Sequence, residues 1–182
     1  ITYKEFLPIL IGTEAPDLTA YETFDPNVNP GVATEFSMCA FRVGHTFLSG
    51  QLLFHDGVQT KGVMSLIDIF FTPGLARENP LLIDEVLIGQ TINAANAADT
   101  KVIPEVRNDL FGAPIGGVGR DLVALNIQRG RETGMSKYNK MREGYGLEKK
   151  ASFAEVSDNS FVVAELIAAY GEDNMDLCDA WI

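Results

Sequence analysis

Apolar residues recur at helical spacing through most of the chain. The longest such pattern runs from about Val32 to Phe54, with Val32, Phe36, Cys39, Val43 and Phe47 on one stripe and Leu48 and Leu52 continuing it as it drifts. Asn29-Pro30-Gly31 punctuates its start, as expected where a chain leaves a loop for a helix. Ahead of it, residues 1–12 predict a short helix started or bent at Pro8 and ended by Gly12, and residues 13–31 carry loop chemistry. Asn79-Pro80 sets a capping residue before a proline at the first helical position, and LLIDEVLIGQTINAANAA predicts a helix to about Ala98. Pro104 to Phe111 predicts another, closed by Gly112 and the Pro114-Ile115-Gly116-Gly117 loop. Asp121 stands where it can cap DLVALNIQRG, with Gly130 and Gly134 as breakers, and SKYNKMRE at 136–143 follows, stopped by Gly144 and Gly146. Ser152-x-x-Glu155 reads as a capping box, and Asn159 or Ser160 as a second cap for FVVAELIAAY, which Gly171 ends. Residues 63–71 support neither a firm helix nor a firm strand. Period-2 patterns are scarce, so the predicted class is mainly α with little or no β.

Composition changes this picture little. The 182 residues suffice for one domain or part of a larger one, and 46% hydrophobic with 21% charged residues is ordinary for a globular chain. No run of about 18 apolar residues occurs, so no transmembrane segment is expected. The net charge is −11, yet residues 101–150 hold 10 of the 14 Lys and Arg and only 6 of the 25 acids. Such a chain is a poor general nucleic-acid binder, and its basic island either meets a specific anion or is a solvated face. Two cysteines, Cys39 and Cys178, do not make a disulfide framework and leave their pairing open. The sequence opens at Ile1 without an initiator Met or a signal peptide and stops at Ala180-Trp181-Ile182, which reads as a piece truncated at both ends.

Two stretches carry candidate chemistry. In Ala40-Phe41-Arg42-Val43-Gly44-His45-Thr46, Arg42 and His45 lie three apart and share one helix face. An imidazole in an apolar helix can be a core histidine with its polar atoms satisfied, or a metal or haem ligand. A neighbouring guanidinium suits the haem alternative, since its fixed charge can pair with a propionate. This helix alone leaves both open. The second stretch runs from Gly119 to Arg131, where Asn126 and Arg129 repeat the three-residue spacing. Asn126 offers a neutral carbonyl that can accept from an imidazole N–H, the kind of partner that fixes the tautomer of a metal-bound histidine. Arg129 can add a second cation for a carboxylate. His55, in the His55-Asp56-Gly57 turn, is expected to be an exposed loop residue and not a ligand.

Together AFRVGHT at 40–46 and DLVALNIQRGRETGMSKYNKMREGYGL at 121–147 resemble the animal haem peroxidases of the cyclooxygenase–peroxidase superfamily. ITYKEFLPILIG at 1–12 is similar to the segment that family carries ahead of its haem-ligand helix, and YGEDNMDLCDAWI at 170–182 to its stretch where an Ile-Asp-x-Trp-x-Gly-Gly turn would follow. The resemblance implies a multi-helical haem peroxidase fold, with residues 1–182 forming the proximal half of a single catalytic domain. It implies that His45 is the proximal iron ligand, that Asn126 accepts the N–H of that imidazole, and that Arg42 and Arg129 lie near the haem propionates. A neutral amide partner pushes less electron density onto the imidazole than a carboxylate does, favouring a comparatively oxidising iron. One departure is Glu132-Thr133-Gly134, where the family usually has Asp-His-Gly.

The implied activity is reduction of hydrogen peroxide with oxidation of a halide, pseudohalide or phenolic donor, in a secreted or extracellular protein. The distal groups that peroxide activation needs, a calcium loop, and the carboxylates that can esterify haem lie upstream of residue 1 by the same resemblance. The isolated piece is therefore expected to have little activity. Two other readings stand beside this one: a fatty-acid dioxygenase of the same superfamily, and a non-catalytic adhesion or matrix module.

Overall fold

The computed structural model describes residues 2–12, 23–70, 72–110 and 119–182. Part of the expected 13–31 loop and the Gly112 to Gly117 loop lie outside the described residues. The chain separates into two compact units, residues 1–32 and 33–182.

In the first unit a π-helical turn, Thr2–Phe6, leads into α1, Leu7–Ile11. Pro8 sits in the first turn of α1, where its missing N–H costs nothing. Gly12 ends the helix at φ +76°, a left-handed conformation that a side chain resists. Further on, Asp25 and Asn29 accept from the backbone N–H groups two residues ahead, Asn27 and Gly31, making two Asx turns.

The second unit is helical around one hairpin, in agreement with the predicted class. The helix expected from Val32 to Phe54 is instead three elements. α2 covers Thr34–Met38, a 3₁₀ segment covers Ala40–Thr46, and β1 covers Gln51–His55. The break falls at Cys39, whose φ of −126° and ψ of −78° leave the α region. β1 pairs antiparallel with β2, Thr60–Ser65, in the register Leu52 to Met64 and Leu53 to Val63, with a bulge after Phe54. The drifting stripe of Leu52 is thus the start of a strand whose Phe54 is buried. His55 ends that strand half-buried, its Nδ1 accepting from Gly57 N–H at 3.0 Å, so it is not a loop residue. The hairpin turn closes on Asp56, which accepts from Val58 and Gln59 N–H and pairs with Lys61 at 2.7 Å.

After β2 come α3, Leu66–Ile69, and α4, Gly74–Glu78. Next is α5, Leu82–Ile92, which packs on β1 and stops short of Ala98. α6 covers Pro104–Asn108, ending before Phe111 as the chain turns to bridge Leu110 with Arg120. α7, Leu122–Glu132, is capped by Asp121, which accepts from Val123 and Ala124 N–H. α7 runs through Gly130 and ends ahead of Gly134, whose φ is +71°. α8 covers Tyr138–Gly144 and α9 covers Ser160–Tyr170, the latter capped by Asn159. The expected capping box does not form: Ser152 makes no cap bond and Glu155 accepts from the N–H of Ala151, one residue ahead of the cap, so a single 3₁₀ turn follows. The tightest core lies here, with Phe153, Val162, Leu166, Met175 and Cys178 clustered and Tyr138, Ile167 and Tyr170 packed against them.

Candidate functional site

The 3₁₀ winding of Ala40–Thr46 decides where its polar side chains go. At three residues per turn, side chains at i and i+3 eclipse each other. Arg42 and His45 are therefore stacked on one edge, and that edge faces Asn126 of α7. The segment is held at its start by the Cys39 thiol, which donates to Ala180 O at 3.0 Å. Burial pushes that thiol up to about 11, so it stays protonated and serves as a donor.

Asn126 is fully buried and its carboxamide has a partner at each end. Its Oδ1 accepts from Arg42 Nη1 at 2.9 Å, and its Nδ2 stands 2.9 Å from His45 Nδ1. Arg42 is fixed further by Nε donating to Ser37 O at 3.2 Å, with Nη2 3.9 Å from Met38 Sδ. Burial, and then the Arg42 charge, hold the His45 pKa below its ordinary 6.5, so the imidazole is neutral at neutral pH. Its Nε2 has no hydrogen-bond partner among the described residues. The same segment exposes Phe41, whose ring lies 5.4 Å from that of Phe36.

Of the four residues singled out in the sequence, Arg42, His45 and Asn126 are joined by hydrogen bonds, and Arg129 makes none with them among the described residues. Arg129 lies on the exposed side of α7, and its guanidinium has no partner among the described residues. The contact between His45 and Asn126 was expected; the amide nitrogen, not the carbonyl, faces the imidazole, because Arg42 has taken the oxygen. Arg42, expected to lie near the haem propionates, here donates to the amide.

Sequence reading missed the group that braces the site from behind. Asp179, nearly buried, accepts from Arg131 Nη2 at 2.6 Å, Lys137 Nζ at 2.5 Å and Tyr170 Oη at 2.9 Å. Burial alone would raise its pKa, but these donors outweigh it and hold the carboxyl at about 2. The carboxylate ties α7, the start of α8, α9 and the C-terminal segment that receives Cys39. Nothing local marked Asp179, since its partners lie 9 to 48 residues away.

A family model described as animal haem peroxidase matches residues 1–182. Peroxinectin A of Dictyostelium discoideum is 29% identical over all of this chain and 33% of its own length. Human eosinophil peroxidase is 32% identical over all of this chain and 26% of its length. Among solved structures, peroxidase A from Dictyostelium discoideum superposes with a TM-score of 0.83 at 28% identity, covering 100% of this chain and 34% of that one. A fatty acid alpha-dioxygenase from Oryza sativa superposes with a TM-score of 0.69 at 18% identity, covering 82% and 26%, which is a likeness of fold alone. The chain spans between about a quarter and about a third of the length of these proteins.

Proposed function

Because this chain belongs to the animal haem peroxidase family, we propose that it forms the proximal half of a haem peroxidase domain. The whole protein would reduce hydrogen peroxide while oxidising a halide, pseudohalide or phenolic donor. The observation that carries the reading is the state of His45: a neutral imidazole, held at Nδ1 by a buried amide, with no partner for Nε2 among the described residues. That is the donor a metal requires, presented on a rigid stem. Haem would draw one nitrogen from the protein, which a lone histidine such as His45 can supply.

In this reading His45 Nε2 binds the iron, Asn126 sets the plane of the imidazole ring, and Arg42 and the unpartnered Arg129 receive the propionates. Haem, when bound, supplies the redox-active iron at which peroxide is reduced. The chain's own part is to hold one nitrogen at a fixed height and orientation and to neutralise two carboxylates. The groups that move the peroxide proton, and a calcium loop, belong upstream of residue 1. Secretion or an extracellular location accords with the kinds of relatives this chain matches, and no helix of the described residues is long and apolar enough to cross a membrane.

The test uses the full-length protein. It should take up haemin with a Soret band that His45→Ala abolishes, and should oxidise bromide or a phenolic donor in the presence of peroxide. No haem uptake, or no histidine upstream to serve the distal side, overturns the reading. Turnover of a fatty acid with O₂ in preference to peroxide would favour the dioxygenase whose fold this chain shares.

A further inference from the structure

His45 and Asn126 lie 81 residues apart, on the 3₁₀ segment and on α7, so their contact depends on whatever sets the spacing of those two elements. Residues 178–181 touch both. On the α7 side, Asp179 takes Arg131 with both oxygens, Oδ1 accepting from Nε at 3.2 Å and Oδ2 from Nη2 at 2.6 Å. A paired bond of this kind fixes direction as well as distance. Arg131 lies five residues beyond Asn126 in the same helix, so holding one holds the axial position of the other. On the other side, Ala180 O accepts from the thiol of Cys39, the residue from which the 3₁₀ segment starts. One planar peptide unit separates these two attachments, so little slack lies between them. The same residues also press on Asn126 directly. The gap bounded by Asn126, Gly130, Asp179, Ala180 and Trp181 is about 10 Å³, at the lower limit of what a single water needs. Two further ties keep 178–181 in place: Tyr138 N–H donates to Cys178 O at 2.9 Å, and Lys137 and Tyr170 donate to Asp179.

We propose that residues 178–181 are a strap that sets the spacing of the 3₁₀ segment and α7, with Asp179 and Cys39 as positioning residues that act on His45 through Asn126. The proposal rests on the peroxidase reading above. Cutting either attachment lets the two elements slide against each other, and a hydrogen bond weakens steeply as its angle departs from linear. The Asn126 amide then holds the imidazole less firmly, and Nε2 is presented to the iron over a wider range of orientations. Neither residue touches haem in this scheme.

The test uses the full-length protein loaded with haemin and reads two quantities: the rate at which haem is lost to excess haem-free myoglobin, and the Fe–His stretching band of the ferrous protein in resonance Raman spectra. Asp179→Asn and Cys39→Ala should each speed haem loss by about tenfold, the lower end of what removing an outer partner of a metal-bound histidine costs, and should broaden and displace the band. Cys39→Ser keeps a donor for Ala180 O and should stay close to the parent in both. In an Asn126→Ala background, Asp179→Asn should add nothing, because the route to His45 is already cut. A full added effect in that background means that Asp179 braces the fold and does not position His45, and it overturns the proposal. So does a parental band in Asp179→Asn and Cys39→Ala, or a Cys39→Ser variant as impaired as Cys39→Ala. Should Asp179→Asn fail to fold, Cys39→Ala decides the matter: haem retention and a band equal to the parent's sink the strap. A full-length protein that takes up no haemin sinks the peroxidase reading and the strap together, whereas normal uptake with indifferent variants sinks only the strap.

Discussion

Single side chains set the site's chemistry here, and the same is true of its stability. Asp179 is the clearest case, because one carboxylate receives Arg131, Lys137 and Tyr170 at once. Its carboxyl is held at about 2 against an ordinary 3.8, so the folded chain binds this proton more weakly than the unfolded chain does. The stability linked to it is therefore complete above pH 3.8 and is lost as pH falls through about 2. Asp179→Asn should cost about 2 kcal/mol at neutral pH, the value of hydrogen bonds to a charged group. The difference between variant and parent should shrink across that acid window. Urea midpoints measured at several pH values would check both the size and the direction, and a difference that stays constant down to the acid limit would show that the charge is not what matters. Burial also raises Tyr170, to about 12, so its hydroxyl keeps its proton and remains a donor throughout.

At the scale of elements, two close fits decide whether the site's supports form. α7 carries Asn126, and Asp121 satisfies two of its orphan N–H groups. Asp121→Ala should cost about 1 kcal/mol, seen in a denaturation midpoint, with added amide exchange confined to the first turn of α7. α5 lies so close on β1 that a Cβ at Gly89 would stand 1.8 Å from Leu53 O. The clash is with backbone, so Gly89→Ala should destabilise by about 3 kcal/mol and separate α5 from the hairpin, which loss of protection in β1 would report. The sequence made some of these elements legible and hid others for definite reasons. α7 and α9 could be read because Asp121, Asn159 and Gly171 are local signals acting within a few residues. The hairpin could not, because Gln51 to Phe54 prolongs an apolar stripe and its burial comes from α5, some thirty residues on. Gly130 looked like a breaker, but it is buried with Met135 Cε within 3.3 Å of where its Cβ would be, so packing and not flexibility accounts for it. The meeting of His45 with Asn126 was legible from two motifs taken together. The seizure of the amide oxygen by Arg42 was not, since spacing gives a shared face and does not say which end of an amide a neighbour will take.

For the second unit as a whole, the balance of buried and exposed apolar surface bears on whether residues 33–182 stand alone. Among its described residues nine hydrophobic side chains are buried, whereas fifteen large ones, among them Phe41, Val58, Leu87 and Phe161, are more than a third exposed. A self-sufficient domain of this size buries most of its large apolar groups and leaves only modest apolar patches. A cavity of about 640 Å³ beside the 3₁₀ segment is likewise walled largely by apolar groups, including Val43, Phe153, Leu166 and Trp181. Hydrophobic burial is the main favourable term in folding, so a unit that leaves this much of it unrealised is held chiefly by local packing and by ties such as Asp179. Expressed alone, the 182-residue chain should bind a hydrophobic dye under native conditions and unfold over a broad range of urea with a low slope, because little apolar surface remains to be exposed. Extended to the full domain of which it forms about a third in its relatives, the same residues should lose dye binding and unfold in one steep step. If the chain alone already excludes dye and melts sharply, its apolar faces have found partners within its own length, and the picture of a half-domain waiting for its other wall is wrong.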